Sequence, residues 1–177
     1  MKFRHILAFA LLVLYSSGCS TDTTTDTTGA QSKVEYNYSG SESGAFKVEG
    51  AYPSQKDGSG ASSTLSADRK TITISAIDWT TANSKATFIN FTLTSNQAIA
   101  DNQVFTTVDP NSTVSVISGY NLTYPGFTIT DTYTAVSGSV TLTTVKENQI
   151  KGTFNFVTKN GAGNTVTITD GKLDVKY

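Results

Sequence analysis

The chain has 177 residues, of which 37% are hydrophobic and only 15% charged, enough for one domain of ordinary size and no second core of consequence. Charge lies well below the usual share of about a quarter, so the polarity of the chain rests on Thr, Ser, Asn and Gly instead of on ion pairs. Its 13 Lys+Arg are scattered among 14 Asp+Glu, which leaves no clustered basic face to displace counterions from a phosphate backbone and sets nucleic acid aside as a partner.

Residues 1–18 read as a secretory signal: Lys2 and Arg4 make a positive start, residues 6–15 are an apolar run, and Ser16, Ser17 and Gly18 are small. A spanning helix needs roughly twenty apolar residues to cross about 30 Å of hydrocarbon. This run is too short, so the segment is expected to be cleaved. Cys19, the single cysteine, follows directly. Ser16-Ser17-Gly18-Cys19 resembles a lipobox, with Ser in place of the usual Leu three residues before the Cys, as in lipoproteins of Bacteroidota. The resemblance implies that Cys19 receives a diacylglyceryl group and becomes the new N-terminus, and that Ser20 after it favours the outer membrane over the inner. At about 0.8 kcal/mol for each buried methylene, two or three acyl chains hold a protein on a bilayer. Loss of Lys2 and Arg4 leaves 11 cations against 14 acids, a formal mature charge of −3.

Residues 19–33 form the expected lipidated Cys and disordered tether, since a Thr-, Ser-, Asp- and Gly-rich stretch buries too little apolar surface to offset the entropy of ordering. Asp22-Thr23-Thr24 and Asp26-Thr27-Thr28 resemble the acceptor for O-glycosylation of exported Bacteroidota proteins, which implies Thr23 and Thr27 as candidate acceptors. A plain polar spacer is the alternative.

From residue 34 to 177 the pattern is alternation with a period of two in Thr, Val, Ile, Phe and Tyr, without a helical stripe. Strands are predicted over 34–38, 45–51, 70–77, 88–94, 104–107, 114–118, 127–135 and 139–145. Ile72, Ile74 and Ala76 share one face of their strand, and Ile89, Phe91 and Leu93 form the core side of the next. Residues 51–63, with Pro53 and Asp57-Gly58-Ser59-Gly60, read as a loop. A strand over 149–158 presents Ile150, Phe154 and Phe156 on one face, residues 159–163 supply a turn, and Val166 and Ile168 stand on the returning strand. Asp170-Gly171 fits either a two-residue turn or a bulge within one long final strand, the bulge being preferred. The expected fold is all-β: a single antiparallel β-sandwich or flattened β-barrel of about eight to ten strands.

Residues 137–156 and 165–175, which carry Gly-Thr-Phe-Asn-Phe and then Thr-Asp-Gly-Lys-Leu-Asp-Val, resemble the C-terminal signature of a Bacteroidota lipoprotein family with a domain of unknown function. Phe46, Val48 and Gly50 stand where that family has its N-terminal Phe-x-Val-x-Gly element. The resemblance implies an all-β envelope lipoprotein and supplies no activity.

Much catalytic chemistry is set aside by composition. His5, the single histidine, leaves with the signal and Cys19 is taken by lipid, which removes Ser-His-Asp and Cys-His catalysis and ordinary zinc sites. The carboxylates are spread over turns and strand ends with no visible pairing, and Asp57-Gly-Ser-Gly and Asp109-Pro-Asn-Ser lack the spacing of a calcium loop and read as turns. No cofactor, metal or catalytic residue is therefore expected. Trp79 and the cluster Tyr120, Tyr124, Phe127 and Tyr133 around Pro125-Gly126 could form an exposed stacking platform for a sugar or apolar ligand, with packing on the sheet as the competing reading. The leading expectation is a non-enzymatic, outer-membrane-anchored module that binds a glycan or small apolar molecule. Its rivals are a structural or interaction component of the envelope, docking through a sheet edge or loop, and a carboxylate hydrolase.

Overall fold

The computed structural model describes residues 31–51, 59–80, 84–123, 128 and 131–177; Cys19, Thr23, Thr27, Tyr124 and Phe127 lie outside them. Ten strands follow in chain order: β1 (Lys33–Gly40), β2 (Gly44–Glu49), β3 (Gly60–Leu65), β4 (Thr71–Thr80), β5 (Lys85–Ser95), β6 (Val104–Thr106), β7 (Ser112–Thr123), β8 (Tyr133–Lys146), β9 (Gln149–Asn160) and β10 (Thr165–Val175). No α-helix occurs among the described residues. The strands form one sheet in the order β2-β1-β10-β9-β8-β6-β7-β5-β4-β3, with β7 also meeting β8. The two ends of this sheet approach each other: Ala51 bridges Ala61 and the Ala61 N–H donates to the Gly50 carbonyl at 3.0 Å. The result is a nearly closed, flattened barrel, and closure is what hides sheet edges from solvent.

The alternating pattern accounts for the interior. Ile72, Ile74, Ile89, Phe91, Leu93, Ile150 and Ile168 are fully buried, each on the face that period two assigns to the core. The aromatic rings interlock: Phe154 meets Phe91 edge-on at 4.9 Å between centroids and Tyr36 at 5.9 Å, while Tyr36 stacks on Phe46 at 4.8 Å. Burying a Phe removes about 150–250 Å² from water, roughly 4–6 kcal/mol before entropic costs. These rings therefore fill and hold the barrel.

The final strand runs unbroken to Val175, with its register shifting between Ile168 and Gly171 and Asp170 at φ 56°, so Asp170-Gly171 is a bulge. Three expectations need correction. Residues 60–65 lie inside the predicted loop 51–63 and beyond it, yet form β3; Gly-Ala-Ser-Ser-Thr-Leu has weak strand preference, and its pairing with β4 from Gly60↔Ile77 to Leu65↔Ile72 decides the matter. The strand predicted over 127–135 begins only at Tyr133, because Thr128 and Asp131 close a turn in which the Asp131 N–H donates to the Thr128 carbonyl at 3.0 Å. Finally, the sheet is not purely antiparallel: the short β6 meets β7 in parallel at Thr106↔Thr113.

The two poles of the barrel differ. Lys33, where β1 begins, pairs with Asp174 near the end of β10. The Lys176 N–H donates to Ser32 Oγ at 3.0 Å, and Val175 pairs with Ile150 beside the β8–β9 turn. Both ends of the described fold thus share one pole. The β1–β2 and β9–β10 turns and the end of β7 lie at the other.

Candidate functional site

At the pole away from Lys33, a cleft of about 420 Å³ is walled by Glu42 from the β1–β2 turn, Tyr120 and Asn121 from β7, Asp131 and Tyr133 at the start of β8, and Asn164 from the β9–β10 turn. Its shape begins with a bulge. Phe88 pairs with Gly119 and Ala86 with Leu122, so Tyr120 and Asn121 together stand opposite Thr87. Asn121 adopts φ 51°, a left-handed conformation that Asn tolerates better than most residues. Its N–H donates to Thr87 Oγ1 at 3.1 Å. Bulges re-aim side chains and concentrate near binding sites; this one sends the Tyr120 ring inward and leaves Asn121 exposed at the cleft.

Tyrosines floor the site. The Tyr38 and Tyr120 rings lie 4.7 Å apart, and Tyr133 meets Tyr120 edge-on at 5.4 Å. Ser118 Oγ donates to the Tyr120 hydroxyl at 3.0 Å, and the hydroxyls of Tyr133 and Ser41 share a 3.2 Å hydrogen bond. Burial pushes the Tyr120 phenol up to about 12, with its hydrogen bonds to Ser118 and Thr158 acting in the other direction. Tyr38 is raised by burial and then by the nearby charge of Glu42. Both phenols remain neutral and able to donate at ordinary pH.

The acidic members of the wall are placed differently. Asp131 Oδ2 accepts the Thr128 N–H at 2.7 Å and the Thr128 hydroxyl at 3.0 Å, and these bonds hold its carboxyl below the usual carboxylate range. It is ionised, with an oxygen committed to a turn, which suits a fixed acceptor and not a general acid. Asn160 is similarly structural, its Oδ1 accepting the N–H groups of Ala162 and Asn164 at 3.1 and 2.9 Å.

The structure brings Tyr120 and Tyr133 together, but as core side chains only 3% and 5% exposed. The expectation that they form an exposed stacking platform is corrected: their faces are spent on each other and on Tyr38, and the sheet-packing reading describes them. Trp79 does not join them. It is half-buried at the end of β4, opposite Ala86 and on the outward face it shares with Ser75 and Ile77. Asp109, considered for calcium, accepts the Asn111 N–H at 2.8 Å within a turn. Glu42, Asn121, Asp131 and Asn164 were not anticipated from the sequence; the one local signal was an Asn set within an otherwise apolar run, Gly119-Tyr120-Asn121-Leu122.

Comparison with family models, with curated proteins and with solved structures yields no match to this chain.

Proposed function

We propose that the protein is a lipid-anchored, non-enzymatic module of the bacterial envelope, as the resemblance around Cys19 implies, and that it binds a glycan in the cleft beside Asn121. The observation that carries this reading is the placement of the cleft. A tether running from Cys19 reaches the barrel at Lys33, and the site lies at the opposite pole, a strand length of roughly 25 Å away at about 3.3 Å per residue. Anchored that way, the cleft is at the end of the barrel farthest from the point of attachment, and the tether leaves it free to meet ligands clear of the headgroups. Its wall of amides, carboxylates and phenolic hydroxyls offers paired donors and acceptors suited to ring hydroxyls. An apolar ligand has weaker support, because the barrel interior is occupied by the interlocked rings of Phe91, Phe154 and Phe156.

Docking through a sheet edge also has weaker support: Lys47 and Glu49 on the edge strand β2 form a 3.1 Å ion pair, and charges of this kind discourage further strand pairing. The test is a thermal-shift screen of the full chain against neutral oligosaccharides. A ligand at a hundred times its Kd stabilises by about 2.7 kcal/mol, roughly a 9 °C rise in Tm for a domain of this size. Absence of any rise across the panel would remove the glycan reading.

A further inference from the structure

The charge of the cleft narrows the class of sugar that can enter it. No Lys or Arg is among the described residues that line it, whereas Glu42 and Asp131 both are. A third carboxylate, Asp78, is near enough to act on the Tyr38 phenol together with Glu42. Among the described residues, Lys85 brings an ammonium to the rim, its Nζ donating to Thr123 Oγ1 at 2.9 Å. Carboxylate, sulfate and phosphate groups are ordinarily received by Arg forks, Lys or a nest of backbone N–H groups. The donors on this wall are instead neutral: the amides of Asn121 and Asn164 and the hydroxyls of Thr123 and Tyr133. Neutral donors beside fixed carboxylates serve uncharged hydroxyls well and repel an incoming anion.

We infer that the cleft selects saccharides without anionic substituents and turns away their uronate, sulfated or phosphorylated counterparts, with Asn121 as its specificity-determining residue. This rests on the glycan reading above and sharpens it. The bulge fixes the Asn121 backbone against Thr87, and its amide stands among the residues that line the cleft. A side chain carried on a fixed backbone has less entropy to lose on binding than one on a mobile loop.

The test uses matched probes with the full chain in isothermal titration at low salt: dextran with dextran sulfate, dextran with carboxymethyl-dextran, and N-acetylated chito-oligosaccharides with their 6-O-sulfated forms. At least one uncharged member is expected to bind, with its anionic counterpart about tenfold weaker or worse and the gap shrinking as salt screens the carboxylates. Glu42→Gln is expected to narrow that gap. Asn121→Gly keeps a backbone that accepts φ 51°, so Tm should hold while affinity for the uncharged sugar falls about tenfold. Equal or tighter binding of the anionic member overturns the selectivity and leaves the glycan reading standing. Failure of every probe to bind overturns both, and unchanged affinity in Asn121→Gly removes that residue from the site.

Discussion

Replacing Phe154 with Ala tests whether the interlocked rings are what holds the barrel. The side chain is 3% exposed and lies within 6.2 Å, centroid to centroid, of Tyr36, Phe91 and Phe156. Its methylene and ring account for roughly 100 Å² of apolar surface beyond what Ala retains, or about 2.5 kcal/mol at about 25 cal/mol/Å². Three neighbouring rings cannot all move inward, so a residual void on the order of 60 Å³ remains and adds about 1.5 kcal/mol at about 24 cal/mol/Å³. The expected loss is therefore about 4 kcal/mol, within the usual range for Phe→Ala in a core. Urea denaturation followed by near-ultraviolet circular dichroism measures it: with a slope of about 2 kcal/mol/M, the midpoint should fall by about 2 M at unchanged slope. Val108→Ala, at a site 82% exposed, serves as the control and should change stability by less than about 0.5 kcal/mol. A midpoint for Phe154→Ala within about 0.5 M of wild type would refute the argument from ring packing.

Three further outcomes are expected. The Tyr36 hydroxyl is buried and finds no hydrogen-bond partner among the described residues, so Tyr36→Phe should leave stability unchanged or raise it by about 1 kcal/mol in the same urea assay; a loss of that size would mean that the hydroxyl is satisfied in solution. Burial raises the phenols of Tyr36 and Tyr120, the latter to about 12, so the folded state favours their protonated forms. Their contribution is fully present below about pH 10, the unfolded pKa, and is lost as pH rises toward 12, at a slope of about 1.4 kcal/mol per pH unit for each phenol. A urea midpoint that stays flat from pH 10 to 11 would contradict this. For the anchor, labelled palmitate is expected to enter the wild-type chain and to be absent from Cys19→Ala; equal labelling of the two would refute lipidation at that residue.

The barrel was legible in the sequence to the extent that its signals are local. Alternation is a property of neighbours, so Ile72, Ile74 and Ala76, and then Ile89, Phe91 and Leu93, declare their buried faces without reference to the rest of the chain. The Asp170-Gly171 bulge is also local, because a residue at φ 56° followed by Gly interrupts a single strand. Strand β3 was not legible: its Ser- and Gly-rich run becomes a strand only because β4 lies beside it. The aromatic cluster was half legible, since Tyr120 and Tyr133 could be seen as neighbours in sequence but not as buried ones.

The sequence by itself determined that the chain is all-β and which residues of its alternating runs face the core, because both are written in runs of consecutive residues. The cleft was decided only by the tertiary structure. Glu42, Asn121, Asp131 and Asn164 come from four separate stretches, and curling of the ten-stranded sheet assembles them at one pole. The same closure sets the polar wall opposite Lys33, through strand pairings between residues more than a hundred positions apart, such as Lys33↔Asp174.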